Sequence, residues 1–173
     1  MKRPMGSAKI ATVTGDDSAA IQALFVSTAA RWRAVGIKVV GVVSEAHGLP
    51  DRTCSAGILR DIVSGRPHPI FLETAPSGTS CHLDAAGVDD ACTSLLDQIA
   101  ASEVVVLSKF GKLEAMGQGL VPAFKAAFAA RKPVLTTASE KHREAWRAFA
   151  PDAAFLSAHD TTISLWWHAL HTK

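Results

Sequence analysis

Two lysines follow a short run of apolar residues, Val104–Leu107, and together they can attract an anion. They are Lys109 and Lys112, whose ammonium groups act as point charges toward an oxyanion. Open α/β sheets bind ligands beyond the carboxyl ends of their strands, where these lysines would lie. The sequence therefore predicts a site for a small oxyanion or a phosphate-bearing ligand. The same segment adds a backbone donor and three supporting residues, which are Gly111, Glu114, Gly117 and Gly119.

A segment of small residues supplies a second group of candidate ligand contacts. A tetrahedral dianion needs several convergent N–H or hydroxyl donors in addition to one or two cations. Gly78, Thr79 and Ser80 carry such donors. We expect these three residues to contact the same anion as the two lysines.

The residues after the first apolar run stand where a nucleotide-binding P-loop would lie. That loop needs glycines for close backbone approach, a lysine for the β- and γ-phosphates, and a hydroxyl for magnesium. Gly15 aligns with the first glycine of the GxxxxGK[ST] motif. The second glycine, the lysine and the hydroxyl are then replaced by Ala20, Ile21 and Gln22. The sequence therefore lacks the residues with which a P-loop binds phosphate.

The same loop carries two acidic residues, Asp16 and Asp17, next to the expected start of a helix. A carboxylate at this place either occupies the free N–H groups of the helix or repels a phosphate from them. One interpretation is a helix cap formed by Asp17 or Ser18. The other is a ligand site at Gly15 and Ser18, in which Asp16 or Asp17 binds a ligand hydroxyl or a cation.

The end of the run Val104–Leu107 also differs from a P-loop enzyme. In such an enzyme an aspartate at this place holds magnesium, and a glutamate often orients the attacking water. Here the two positions hold Ser108 and Lys109. A lysine in place of an acid reverses the local charge, which favours direct contact with an anion over metal-assisted phosphoryl transfer.

Short β-branched runs alternate along the chain with longer runs of helical periodicity, a pattern typical of a parallel sheet covered by helices. Two runs joined by a Gly-containing turn predict an antiparallel β-hairpin over about residues 57–73. We expect a single domain over residues 1–173, an α/β three-layer sandwich with a mostly parallel sheet. The expected parallel strands are Lys9–Val13, Lys38–Val43, Val104–Ser108, Pro133–Thr137 and Ala153–Ser157.

The composition excludes several classes of protein. Lys and Arg number 18 against 16 Asp and Glu, and the net charge of +2 is too small for the broad phosphate-neutralising surface of a nucleic-acid-binding protein. No apolar run approaches the roughly 18 residues of a membrane helix, so we expect a cytoplasmic protein without membrane insertion. No Ser/His/Asp arrangement is recognisable, and we assign no catalytic residue.

Two histidine-containing segments resemble metal sites only superficially. Cys81 and His82 are adjacent, and neighbouring residues of a strand point to opposite sides, whereas a metal needs three or four converging ligands. We interpret that pair as structural, with Asp84 as the N-cap of the helix that follows. The histidines near the chain end we interpret as surface residues. We predict no metal site.

Six short motifs carry a family resemblance: Thr14-Gly15, Val39–Val43, Ser64–Arg66, Cys81–Asp84, Lys109–Glu114 and Gly117–Leu120. They resemble an uncharacterised bacterial family of domains, DUF2478, whose genes often lie beside genes for molybdate uptake and molybdoenzymes. More distantly, Gly111–Glu114 resembles the DEIGKME element of small P-loop nucleoside-triphosphatases. The resemblance implies a P-loop-NTPase-like fold with degenerate nucleotide-binding motifs.

The resemblance also implies a role in molybdenum metabolism, with molybdate or a phosphate-bearing pterin as ligand. The leading hypothesis is an accessory protein that binds a small anion or a nucleotide-like ligand without hydrolysing it. An alternative is a nucleoside-triphosphatase or phosphotransferase, in which Lys109 or Lys112 replaces the P-loop lysine. In that enzyme Asp16 or Asp17 would hold magnesium beside the nucleotide.

A second alternative is a protein–protein interaction module built on the helices around Trp146 and Trp166. Trp166 and Trp167 are consecutive in the last helical run, and consecutive helix positions diverge by about 100°. We therefore expect one of the two in the core and the other near its edge. The tryptophan at the edge would support a homodimer or docking on a molybdenum-related protein.

Overall fold

The computed structural model describes residues 8–46, 56–70 and 84–172, and within them seven strands form one sheet. The strands are β1 (Ile10–Thr14), β2 (Val39–Ala46), β3 (Ala56–Asp61), β4 (Pro67–Pro69), β5 (Val104–Leu107), β6 (Val134–Thr137) and β7 (Ala154–Ser157). Their order across the sheet is β4-β3-β2-β5-β6-β1-β7. Strands β2, β5, β6, β1 and β7 are parallel, whereas β3 and β4 are antiparallel to their neighbours. The predicted mostly parallel sheet is confirmed.

Helices cover both faces of the sheet. They are α1 (Ser18–Ala34), α2 (Ala85–Leu96), α3 (Lys112–Ala115), α4 (Val121–Ala129), α5 (Arg143–Phe149) and α6 (Asp160–His171). One buried cluster joins α1 and α6 to the sheet, and a second joins α2, α4 and α5 to its other face. This arrangement confirms the predicted three-layer sandwich. None of the helices in the described part of the chain is long and apolar enough to cross a membrane.

The predicted hairpin is present as β3 and β4, paired with each other and with the edge of β2. Asp61 ends β3, because its Oδ1 accepts hydrogen bonds from the backbone N–H groups of Val63 and Ser64 at 3.0 and 2.9 Å. The second strand is shorter than predicted and ends at Pro69. Residues 71–73 of the predicted hairpin lie outside the described residues.

Helices α1 and α2 each bury one face. The buried face of α1 includes Ile21, Phe25 and Trp32, which pack against the sheet. Cys92 is a buried residue of α2. Burial raises the pKa of its thiol, so Cys92 is held as the neutral, unreactive form.

Three helices of the described part of the chain are short. They are α3, α4 and α5, which have 4, 9 and 7 residues. In α5, Trp146 is fully buried and donates its indole N–H to Thr12 Oγ1 of β1 at 2.9 Å. The Trp146 side chain itself therefore belongs to the core and is not available for docking, and the interaction module on the helices around Trp146 and Trp166 stays a prediction.

The last helix, α6, has His159 as its N-cap and Asp160 as its first residue. The carboxylate of Asp160 accepts a hydrogen bond from Arg31 at 2.8 Å. The expectation for the two tryptophans is confirmed. Trp166 is buried and donates to the Ala8 carbonyl, whereas Trp167 is half-buried.

Candidate functional site

A cleft opens beyond the carboxyl ends of β1, β5 and β6, where parallel sheets bind ligands. Its volume is about 390 Å³. It is lined by the loop after β1, by Lys109 after β5 and by the end of β6 with the segment that follows. The side chains that carry charge or hydroxyl groups into it are those of Asp16, Ser18, Lys109, Thr137, Ser139 and Glu140.

The structure distinguishes the two predicted lysines. Lys109 lies beyond β5 and lines the cleft, facing the loop that contains Gly15 and Ser18. Lys112 is the exposed first residue of α3 and is not part of the cleft lining. In the described part of the chain Lys109 forms no ion pair, so its charge is available to an anion in the cleft.

The two aspartates of the first loop have different roles. Asp17 is the N-cap of α1, because its Oδ1 accepts the backbone N–H of Ala20 at 3.0 Å. This confirms the helix-cap interpretation for Asp17. Asp16 instead lines the cleft together with Gly15 and Ser18. Of the two carboxylates, Asp16 is the one placed to contact a ligand.

Two buried side chains fill the region where a P-loop would hold phosphate and magnesium. Ile21 is 3% exposed, and its Cδ1 would lie 3.4 Å from a methyl group placed on Gly15. Gln22 donates from Nε2 to the Ser108 carbonyl at 2.8 Å and accepts at Oε1 from the Ser44 N–H at 2.9 Å. A side-chain amide therefore links α1 to β2 and β5 where a P-loop hydroxyl would bind a metal.

Glu114 shapes the segment that follows Lys109. Its Oε1 accepts the Gly111 N–H and its Oε2 accepts the Leu120 N–H, both at 2.9 Å. The backbone donor predicted at Gly111 is thus already used within the protein. Gly119 has φ +63°, and a Cβ there would come within 1.9 Å of Glu114 Oε2. Glu114 and Gly119 are therefore structural supports of the loop.

Comparison with known proteins identifies the family. A family model described as a protein of unknown function, DUF2478, matches residues 10–167. The chain belongs to the DUF2478 family. The molybdenum import ATP-binding protein ModC 2 of Bradyrhizobium diazoefficiens is 36% identical over 117 residues, which cover 66% of this chain and 13% of that protein. No solved structure matches significantly.

The DUF2478 chain has a P-loop-NTPase-like fold, as the sequence predicts. Strand β1 lies inside the parallel part of the sheet and leads through the loop at Gly15 into α1. The framework is present, and the phosphate-binding and metal-binding side chains differ.

Two arginines of this DUF2478 chain were missed by sequence reasoning. Arg143 and Arg147 lie on α5 and line a second cavity, of about 560 Å³, next to the cleft. Their spacing of four residues, shortly after the end of β6, is the signal that could have found them. Few apolar residues at helical spacing surround the two arginines, so the sequence does not show that both lie on one helix.

Three predicted contacts, Gly78, Thr79 and Ser80, lie outside the described residues, and so do Cys81 and His82. The supporting residue Gly117 follows α3 and is exposed. Among residues 8–46, 56–70 and 84–172 no group of three or more His, Cys, Asp and Glu side chains is arranged to hold a metal ion.

Glu114 predicts a pH dependence of stability in this DUF2478 chain. Burial raises its pKa above the ordinary value of 4.5, although the N–H groups of Leu120 and Gly111 act in the opposite direction. The folded state therefore binds a proton more readily than the unfolded state. The protonated Glu114 therefore stabilises the folded state. This stabilisation is complete at pH values below the ordinary pKa and is lost as pH rises through the higher pKa of the folded state.

We therefore expect wild type to lose stability relative to Glu114→Gln as pH rises above 4.5, because glutamine does not titrate. Urea unfolding of both proteins across the pH range measures this difference. Glu144→Gln, an exposed glutamate of α5, is the control and should leave the pH dependence of wild type unchanged. A difference between wild type and Glu114→Gln that does not vary with pH contradicts the prediction.

Proposed function

We propose that this protein is a cytoplasmic accessory protein of molybdenum metabolism that binds a small anion or a nucleotide-like ligand without hydrolysing it. The ligand lies in the cleft beyond β1, β5 and β6. Lys109 supplies the positive charge and the hydroxyl of Ser18 supplies a polar contact. The hydroxyls of Thr137 and Ser139 are already bonded to the Val13 carbonyl and to His142 Nδ1.

The position of Lys109 is the observation that carries the proposal. Its ammonium group lines a cleft of about 390 Å³ at the ligand-binding edge of the sheet and has no ion-pair partner among the described residues. Hydrogen bonds between a charged donor and an oxyanion are about twice as strong as neutral ones. An oxyanion in the cleft would therefore gain a charged contact with Lys109, whose ammonium group also attracts the Glu114 carboxylate and lowers its pKa.

The surroundings of Gln22 support binding without hydrolysis. A P-loop enzyme joins its loop hydroxyl to a magnesium ion and to an acid at the end of the neighbouring strand. Here Gln22 hydrogen-bonds directly to the Ser108 carbonyl, and Ile21 replaces the phosphate-binding lysine with an apolar side chain. These residues do not fit a magnesium–nucleotide site of the P-loop type.

The molybdenum part of the proposal rests on the ModC relative. That protein is named for molybdenum import and ATP binding, and the segment similar to this chain is 13% of its length. A homologous segment is thus part of a much longer polypeptide with a role in molybdenum import. The presence of a similar segment within a molybdenum import protein supports a role for this chain beside a molybdenum importer. Docking on a molybdenum-related protein is one form that this role can take.

Calorimetric titration of the whole protein with molybdate, tungstate, sulfate, ATP and GTP tests the proposal. We expect saturable heat with at least one of these anions and weaker binding at higher salt, because the contact is electrostatic. The absence of heat with all five anions at millimolar concentration contradicts a binding function.

A phosphate-release assay with ATP and GTP in the presence of magnesium tests the non-hydrolytic part separately. We expect no turnover above a heat-treated sample. Magnesium-dependent release that disappears in both Lys109→Ala and Asp16→Ala would instead establish the nucleoside-triphosphatase alternative, with Asp16 as the acid that faces the cleft.

A further inference from the structure

A second cavity, of about 560 Å³, lies directly beside the cleft at Lys109. The two share the lining residues Gly15, Asp16, Ala138 and Glu140, so one ligand can extend from one into the other. A single tetrahedral oxyanion fills only the part near Lys109. The second cavity therefore has room for a further portion of the ligand.

One wall of the second cavity offers a flat surface. Phe155 of the edge strand β7 is 40% exposed, although large aromatic side chains are usually covered. The guanidinium carbon of Arg147 lies 5.3 Å from the centre of its ring, which holds both groups in a defined orientation. Aromatic and guanidinium faces of this kind stack on planar heterocycles.

The other walls carry hydrogen-bonding groups of both kinds. The Nε of Arg143 is buried and has no hydrogen-bond partner in the described structure. The carboxylates of Asp16 and Glu140 line the same cavity, yet within the described residues neither forms an ion pair with Arg143 or Arg147. Arg143, Asp16 and Glu140 thus line one space with side chains that can donate and accept hydrogen bonds.

This combination fits a ligand that carries both donors and acceptors. The carboxylates of Asp16 and Glu140 line both spaces, so the ligand meets acceptors there as well as the donors of Arg143. A planar ring with both N–H donors and carbonyl or ring-nitrogen acceptors can satisfy all three groups while it stacks beside Phe155. Purine and pterin rings have this pattern.

We propose that the ligand is a phosphorylated heterocycle, with its phosphate at Lys109 and its ring in the cavity between Phe155 and Arg143. This inference rests on the proposed function and makes the ligand more specific. It assigns Arg143 and Phe155 to recognition of the ring and leaves Lys109 as the contact of the phosphate.

Calorimetry with inorganic phosphate, ribose 5-phosphate, AMP and GMP tests the ring site. GMP carries the same donor and acceptor pattern on its pyrimidinone ring as a pterin. Since stacking of a base on an aromatic side chain contributes about 1–3 kcal/mol, we expect AMP or GMP to bind roughly 10-fold or more tightly than ribose 5-phosphate. Phe155→Leu and Arg143→Gln should remove this advantage and leave the affinity for ribose 5-phosphate within about twofold of wild type.

The matched control is Lys141→Gln, which removes the same charge from an exposed residue near α5 that does not line the cavity. It should retain the preference for the purine nucleotide. Equal affinities for all the phosphomonoesters overturn the ring site but leave the anion site intact. A purine preference that survives in both cavity variants overturns the placement of the ring, and no binding of any anion overturns the proposed function as well.

Discussion

Lys109→Met is expected to weaken oxyanion binding about 30-fold, because a hydrogen bond from a charged group contributes about 2 kcal/mol. Methionine keeps most of the length of the lysine stem and removes only the charge. The fold should be preserved, since Lys109 is exposed and forms no ion pair among the described residues. Titration of wild type and variant with the best-binding anion of the calorimetric series measures the change.

Lys112→Met is the matched control for this experiment. It removes the same charge three residues further along the chain, from a side chain outside the cleft lining. We expect its affinity to stay within about twofold of wild type, and Lys109→Arg to retain most of the binding. Equal losses in the Lys109 and Lys112 variants would show general electrostatic attraction and would contradict a site centred on Lys109.

Gln22→Ser is expected to lower the free energy of unfolding by about 3 kcal/mol, although it restores the residue type that a P-loop carries at this position. Serine is too short to reach both the Ser44 N–H and the Ser108 carbonyl, which Gln22 contacts at 2.9 and 2.8 Å. Each buried backbone group left without a partner costs about 1–3 kcal/mol. Urea unfolding monitored by tryptophan fluorescence measures the loss.

Gln118→Ser is the control for the loss of a glutamine, because Gln118 is exposed. Its effect should stay within about 0.5 kcal/mol of wild type. A loss below about 1 kcal/mol in Gln22→Ser would mean that the amide bridge is not a structural element. The assignment of this region to packing, and not to metal binding, would then be wrong.

The sheet could be predicted from the sequence because its central strands have an unmistakable pattern. All four residues of β5 and of β6 are buried, so both strands appear as short apolar runs. A helix was expected around Trp146, but the buried face of α5 has a much weaker pattern, because Trp146 is its one fully buried side chain. The arginines on that helix therefore stayed unassigned.

Two properties of the site depend on contacts that local spacing does not encode. Gln22 reaches a carbonyl 86 residues away in the chain, and its role emerges only when β5 lies beside α1. Likewise, the start of α3 at Lys112 separates the two lysines, so that Lys109 lines the cleft. The sequence predicted lysines near a strand end correctly and could not decide between them.

The position of a bound tungstate ion, located by the anomalous scattering of tungsten in crystals of the whole protein, tests the proposed site most directly. We predict a peak in the cleft beyond β1, β5 and β6, within hydrogen-bonding reach of the Lys109 ammonium group and absent from crystals of Lys109→Met. A peak elsewhere on the molecule, a peak that persists in the variant, or no peak at all would contradict a Lys109-centred anion site.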